Sequence, residues 1–438
     1  MPHAPRHTGA KKGVILVKLE LLSTTGMTLL RLSRKLWLRI ALMALLAVVA
    51  SAIAILFEGY IPQSVQDRFT PNSVMPILTI LASGMLAVST FSLNVMVTAH
   101  NAAAGQATPR VHRILLADTT THTVLATFIG AFVYSLSAII LFKAGFYPEG
   151  ASVLVLGFTV AVVVLVILAL LRWIHHLSDL GSMDATLAST EDITRACLMR
   201  TRRLPSLGAR RLTRDTVLPN DARPLAARAT GYVQFIDLRA ISDKLCNDQT
   251  RVYLYVRPGD YVIEGQVIGH ATGLGEREET LITKSLTIGR YRTFEQDASY
   301  GLLVLSETAS RALSPGINDP GTAIAVICRQ EKLLLDWAHG IPDSDTPLFP
   351  RLFLPDVSRR ALIENAFAST ARDGAGLIEV AERLQDTLHT LSEVPEPDLA
   401  NAARDLAARA LDYADLALPL KSEKQRLRDR NDTPSPLP

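Results

Sequence analysis

The sequence is poor in charge, in aromatics and in cysteine. Only 20% of its 438 residues are charged and 6% are aromatic, against roughly 25% charged in an average soluble chain. Lys plus Arg number 45 and Asp plus Glu 42, a formal charge of +3. Spread over this length, that is no electrostatic footprint for nucleic acid. The three cysteines, Cys197, Cys246 and Cys328, are odd in number and far apart. Without a CxxC or CxxH spacing they exclude a disulfide framework and argue against zinc. They read as small residues in a reducing compartment. No P-loop, GxSxG or HExxH occurs, so the sequence names no catalytic residue, no metal ligand and no cofactor. A cleavable signal is also missing. Residues 1–36 are basic, with Glu20 the only acid, and the first apolar run that follows is longer than the roughly 7–15 residues of a signal core. Met27 opens the compact segment MTLLRLSRKLWL, so residues 1–26 read as an appended or misassigned start.

What is abundant is apolar sequence, 48% of the chain, gathered into long runs. A membrane-spanning helix needs about 20 mostly apolar residues. Four segments meet that need: Trp37–Phe57, Met75–Ala99, Thr119–Phe142 and Gly150–Leu171. The second lies in a stretch, Phe69–Pro109, without a single Asp, Glu, Lys or Arg. Asp118 precedes the third as an N-cap, and Pro76 fits the first turn of the second. Lys and Arg set the orientation. They crowd before the first run, after the second (Arg110, Arg113) and after the fourth (Arg172, Arg195, Arg200, Arg202, Arg203), and are sparse in the other two loops. Both termini are therefore expected in the cytoplasm of a bacterial cell, with the chain in its inner membrane.

Two runs carry polar rows at helical spacing. In the second, Ser83, Thr90, Asn94 and Thr98 share a face. In the third, Thr123, Thr127, Tyr134 and Ser137 do so. Two readings fit these rows. Small and hydroxyl residues let membrane helices pack closely. Alternatively, the rows line a watery path, which a four-helix chain builds only as a homo-oligomer. No acidic or basic residue lies mid-membrane, which argues against a pump. His100, His112 and His122 sit near one membrane face but share no spacing. Adjacent His175 and His176 do not share a helix face and so form no metal pair.

The remainder divides by composition. Residues 1–36 form a basic N-terminus and 37–172 the four-span domain. Residues 173–227 read as a helix leaving the membrane, over 173–200, and an Arg- and Pro-rich linker. Residues 228–290 are β-rich, with a strand expected around Leu281–Ile288. Residues 291–420 are helical, with helices at about 298–313, 322–337, 356–391 and 396–417; Asp319 caps the second and Pro320 opens it. The polar tail 421–438 is expected to be disordered. The fold class is a multi-pass α-helical membrane domain of four spans, followed by a cytoplasmic α+β domain with a small barrel-like β segment and a helical C-terminal part.

The run Val256-x-Pro258-Gly259-Asp260-x-Val262-x-x-Gly265 resembles the hairpin of biotinyl-lipoyl-like sandwich barrels. The lysine that such domains modify is missing, so the resemblance implies β geometry and no cofactor. The segments RTFEQDASYG and RALSPGINDPGTA, with TPRVHRILLADTTTHTVLATFIGAFVYSL, resemble a bacterial inner-membrane family known only as domain of unknown function 2254. That resemblance covers about residues 30–415 and implies a multi-pass membrane protein with a cytoplasmic domain. It supplies no activity.

Within those segments Arg292, Glu295, Asp297, Arg311, Asn318 and Asp319 are the candidates for one polar pocket. Carboxylates, an amide and guanidinium groups there would hold a cation or a phosphate-bearing ligand; equally, they are caps and ion pairs of a helix pair. The leading functional reading is a homo-oligomeric channel or transport-like protein gated by its cytoplasmic domain. The alternative is a membrane-anchored binding or scaffold module. The bilayer is the expected partner, and nucleic acid is not.

Overall fold

A computed structural model of the chain describes residues 71–432, apart from short gaps at 107, 112–118, 148–150, 180–181, 246–248, 274 and 343–345, together with scattered positions between 37 and 53. The first expected span, Trp37–Phe57, therefore lies largely outside the described residues, as do the Asp118 cap, His112 and Cys246. The chain divides into a helical unit that ends at Thr186 and a second unit that runs from Leu187.

In the helical unit, α1 runs Pro71–Gln106, α2 Thr119–Lys143 and α3 Ala151–Asp179. Among the described residues these three are long and apolar enough to cross a membrane, with mean hydropathies of 1.9, 2.2 and 3.2 in their most apolar windows. Pro71 opens α1 and Pro76 lies inside it. Pro76 is thus past the first turn where the sequence placed it, and it leaves the Asn72 carbonyl without its helical donor. Val74, Leu78, Leu81 and Met85 recur at helical spacing and are buried. Val74 and Leu78 pack with Tyr134, Ala138 and Val155, and Leu81 and Met85 with Val124, Phe128 and Val166. The Tyr134 hydroxyl donates to the Val155 carbonyl at 2.9 Å and lies 3.1 Å from Thr159 Oγ1. Tyr134 is therefore a tie between α2 and α3. The expected exit helix over 173–200 is broken. Residues 173–179 belong to α3, and α4 starts afresh at Met183 and ends at Arg203.

The second unit joins sheets to helices. Its strands are β1 (Ala209–Arg211), β2 (Arg223–Ala226), β3 (Gly231–Ile236), β4 (Arg251–Leu254), β5 (Tyr261–Val262), β6 (Val267–Thr272), β7 (Leu286–Gly289) and β8 (Phe349–Leu354). Among the described residues they form a five-stranded sheet ordered β1-β8-β4-β6-β2 and a three-stranded sheet ordered β5-β3-β7. Three expectations are corrected here. The linker 201–224 contributes strands, because β1 pairs in parallel with β8 and β2 antiparallel with β6. The strand expected around 281–288 is present only in its last residues, in β7; the chain before it is a helix, α6 (Glu276–Lys284), and α5 (Leu238–Asp243) lies between β3 and β4. The β-rich segment is no self-contained barrel, since its central strand β4 pairs with β8 from beyond residue 290. Val252, Leu254, Ile268, Val233, Ile236, Val262, Leu352 and Leu354 form its shared apolar core.

The helices are α7 (Ala298–Ala312), α8 (Pro320–His339), α9 (Arg359–Asp373), α10 (Ile378–Ser392), α11 (Pro397–Ala417) and α12 (Lys421–Asp432). Asp319 caps α8 as the sequence predicts: its side chain accepts from the Thr322 amide, and Pro320 is the first helical residue. The single helix expected over 356–391 is two. The chain turns at Gly374, where a Cβ would stand 2.6 Å from Val380 Cγ1. The tail is also corrected, because residues 421–432 form α12. Its composition is polar, yet Leu427 is buried against Ala381, Ala414 and Leu418, and Arg430 grips Asp386 with two bonds of 2.7 Å.

Helix α4 is held to α8 by a buried carboxylate. Glu191 accepts from Arg329 at 2.7 Å, Lys332 at 3.1 Å and Arg195 at 3.2 Å; Arg195 also bonds Asp336. Burial alone would raise the Glu191 carboxyl, but these three cations hold it below its ordinary value. A group whose folded value lies below its unfolded one stabilises fully above the ordinary glutamate range and loses that contribution as pH falls through it. The resistance of the full-length protein to thermal unfolding should accordingly fall below roughly pH 4.5. Glu191→Gln should lower stability at pH 7 by about 1–2 kcal/mol and flatten the acid slope. An unchanged slope would show that this carboxylate does not hold the helices.

Candidate functional site

A cavity of about 240 Å³ lies in the second unit, walled by four short segments: 204–207, 257–260, 292–299 and 354–361. The first follows α4, the second is the turn before β5, the third leads into α7, and the fourth joins β8 to α9. Sequence makes each of them a place where the chain must change direction. Pro258-Gly259-Asp260 builds the second: Gly259 takes φ +98°, and Asp260 accepts from the Arg257 amide at 2.8 Å. Asp297 and Ser358 end the third and fourth as N-caps.

Arg292 and Asp297 form the floor. Arg292 donates from Nε and Nη2 to the two carboxylate oxygens at 2.7 and 2.9 Å, and from Nη2 to Ser299 Oγ at 3.0 Å. Its guanidinium lies 5.0 Å from the Tyr300 ring centre, a cation–π contact. Burial pushes the Asp297 carboxyl above its usual range, while bonds from Arg292, Ser299 and the Tyr300 amide pull it back. Burial opposes the Arg292 charge, but Asp297 outweighs it and holds the guanidinium above its ordinary value. Gly259 rests directly on this pair; a Cβ there would stand 2.3 Å from Asp297 Oδ2.

The opposite wall is strained. Ser206 and Leu207 adopt φ of +52° and +57°, a left-handed conformation that costs about 1–2 kcal/mol per non-glycine residue. Asp356 steadies it by accepting from the Ser206 amide at 3.2 Å and from Arg359 at 2.6 Å. Arg257 reaches over from the hairpin and donates to the Asp356 carbonyl at 3.3 Å.

Of the six soluble candidates read from sequence, the cavity takes Arg292 and Asp297. Glu295 is beside it, and its backbone carbonyl accepts from Arg200 at 2.5 Å. Arg311, Asn318 and Asp319 are not brought in. They lie at the far end of α7, whose 15 residues span roughly 22 Å, and Asp319 caps α8 there. Sequence reasoning saw Arg257–Asp260 only as a turn, and it missed Ser206, Asp356, Ser358 and Asn365. The Pro-Gly-Asp signal was visible; nothing local marks Ser206. Among the described residues no group of His, Cys, Asp and Glu suits a metal ion. Burial pushes the Cys197 thiol up to about 12, which keeps it protonated and inert.

In the helical unit, Ser83, Thr90, Asn94 and Thr98 fall on the exposed face of α1, with Thr123 exposed and Thr127 and Ser137 half-buried on α2. The hydroxyls turn inward to their own helices. Ser83 donates to the Thr79 carbonyl at 2.9 Å, Thr90 to Leu86 at 2.9 Å, Thr98 to Asn94 at 3.0 Å and Thr127 to Thr123 at 2.9 Å.

The model of one family, described as predicted membrane protein (DUF2254), matches residues 33–390. Uncharacterised proteins of Mycobacterium bovis and Mycobacterium tuberculosis are 28% identical over 281 residues, which cover 62% of this chain and 53% of each relative. The chain thus spans about half the length of the curated relatives it matches. No solved structure matches.

Two glycines separate backbone strain from the close approach at the site. Gly265 has φ +81° with open space around a Cβ, whereas Gly259 has φ +98° and Asp297 beneath it. Gly265→Ala should cost about 1–2 kcal/mol, from strain alone. Gly259→Ala should cost about 3 kcal/mol or more, because it also displaces the buried ion pair. Equal losses in thermal unfolding would mean that Gly259 does not bear on Asp297.

Proposed function

The chain belongs to the DUF2254 family of predicted membrane proteins, and from that premise we propose that it is a membrane-anchored binding module for a small polar ligand. Its apolar helices hold it in the inner membrane through four spans. Its α+β unit lies on the cytoplasmic side, where the crowding of Lys and Arg puts it. The observation that carries this reading is the cavity: the Arg292–Asp297 segment and the Pro258-Gly259-Asp260 turn, apart in sequence, share its wall with Ser206 and Asp356. A concave site of a few hundred Å³ with a small number of fixed polar groups is what small-ligand recognition requires.

The channel reading rests on the exposed row Ser83, Thr90, Asn94 and Thr98, repeated around a homo-oligomer. Its hydroxyls already bond to carbonyls one turn back. A hydroxyl satisfied in this way lies in lipid at little cost, so these three hydroxyls need no aqueous path to explain them. The geometry favours the binding module.

The test uses full-length protein in lipid nanodiscs, incubated with the small-molecule fraction of bacterial cytosol, desalted, and released by heat for mass spectrometry. A retained compound is expected. Ala361→Phe, which fills the cavity from α9, should reduce its retention at least tenfold while the protein still melts cooperatively. Retention of nothing, or equal retention by the filled variant, would sink the proposal.

A further inference from the structure

We propose that the groove between α10 and α11 is a docking site for a basic amphipathic helix, and that α12 fills it as a releasable clasp.

Three carboxylates set the chemistry of the groove. Glu382 and Asp386 stand four residues apart, on one face of α10, and Asp415 stands on α11. Among the described residues their side-chain partners all come from α12. Arg426 bonds Glu382. Arg430 takes both oxygens of Asp386 at 2.7 Å and lies 3.7 Å from Glu382. Arg428 donates to Asp415 at 2.5 Å, and Lys424 donates to the Asp415 backbone carbonyl at 2.5 Å. With α12 in place the Glu382 side chain is only 13% exposed. Without it, α10 would present two like charges one turn apart, which repel. The floor is apolar and built of small residues. Ala381, Ala414 and Leu418 pack around Leu427, with Ile378 and Leu411 at the edge. The groove therefore accepts one leucine flanked by arginines, the pattern Arg426-Leu427-Arg428-x-Arg430.

The same contacts make the hold a weak one. Among the described side chains of α12 only Leu427 is buried. The helix has 12 residues, and isolated helices shorter than about 12–15 residues are marginal in water. It is a helix because it is docked. Its docking leans on arginines open to water: the Arg426 and Arg428 side chains are 60% and 53% exposed. Pairs of that kind contribute little each and are screened by salt. The two helices beneath are held differently. Val380, Leu384, Leu388 and Leu391 of α10 are buried, as are Leu399, Ala403, Leu406 and Ala410 of α11. When ionic contacts weaken, α12 is the first of the three to leave.

The tether explains why the groove is normally closed. Helix α11 ends at Ala417 and α12 begins at Lys421, so three residues join them. So short a link keeps α12 at a high effective concentration over its groove. A basic helix from another molecule enters only once the resident one is loosened. The clasp is thus an intramolecular competitor, and the sign of the groove limits what can displace it.

The experiment follows backbone amide exchange of the full-length protein in lipid nanodiscs by mass spectrometry. Two salt concentrations are used, about 0.1 M and about 1 M, between which the screening length falls from about 10 Å to about 3 Å. Amides of α12 should exchange at least tenfold faster at the higher salt, while those of α10 and α11 hold. Arg430→Asp should release α12 in the same way at the lower salt. Adding Asp386→Arg should restore protection, which separates the ion pair from a general loss of fold. A fluorescent peptide of residues 420–432 then probes the groove from outside. It should bind the Arg430→Asp protein saturably at the lower salt, at least tenfold tighter than it binds the unaltered protein, whose groove is filled. The peptide carrying Leu427→Asp should not bind. Exchange of α12 only together with α10 and α11, at both salts, would make it a fixed part of the fold and overturn the clasp. Release without peptide binding, or equal binding by the two proteins, would overturn the docking site.

Discussion

Arg292 and Asp297 meet where a sheet hairpin, a helix start and a cavity floor come together. Asp297 has three tasks at once: it caps α7 through the Tyr300 amide, it holds Arg292 with two bonds, and it supports Gly259. Its side chain is 4% exposed. Stripped of its partner, a carboxylate so buried is an uncompensated charge, a loss of about 3–5 kcal/mol. The pair therefore cannot be traded away one residue at a time. The hairpin residue above it has to be glycine, because any Cβ would occupy the space of the Asp297 oxygen.

A second chain of charges steadies the opposite wall. Two guanidinium groups lie over the Trp337 ring on α8, Arg202 at 5.1 Å and Arg359 at 5.3 Å from its centre. Both bond Glu396, at 3.0 and 2.9 Å. Arg359 passes the constraint to Asp356, and Asp356 to the Ser206 amide. The strained left-handed turn is thus tied through two ion pairs to the packed helices. Strain held in place by its surroundings is a recurring property of binding sites. Here it shapes one wall of the cavity.

The sequence showed these parts unevenly. The long apolar runs are legible because lipid imposes one simple rule, length without charge, and the structure describes three of them. The Asp319–Pro320 helix start is legible because a cap needs only neighbouring residues. Strands β1 and β2 are not. They are three and four residues long, carry Arg and Pro, and exist because β8 and β6 pair with them from elsewhere in the chain. The helix α12 was missed for a related reason: one buried leucine and a few arginine bonds outweigh a polar composition that locally signals disorder. At the site, RTFEQD was legible as chemistry. Its expected junction with Asn318 and Asp319 was not met, because spacing along the chain says nothing of the helix length between them. Ser206 had no signal at all, since its role comes from a backbone conformation and a distant carboxylate.

The two sets of polar residues differ in what they ask of a partner. On α1 and α2 the hydroxyls of Ser83, Thr90, Thr98 and Thr127 find carbonyls within their own helices, and Tyr134 finds one on α3, so none of these needs water or an ion to account for it. Around the cavity, Asp297 and Asp356 are held by arginines and helix or turn amides, while Asp260 accepts from the Arg257 amide at one oxygen and stays partly exposed. Long-range attraction for an anion is weak there, because Asp260, Asp297 and Asp356 stand against two lining arginines, Arg257 and Arg292. Short, directed hydrogen bonds must therefore do the selecting, and those survive salt far better than a diffuse positive field.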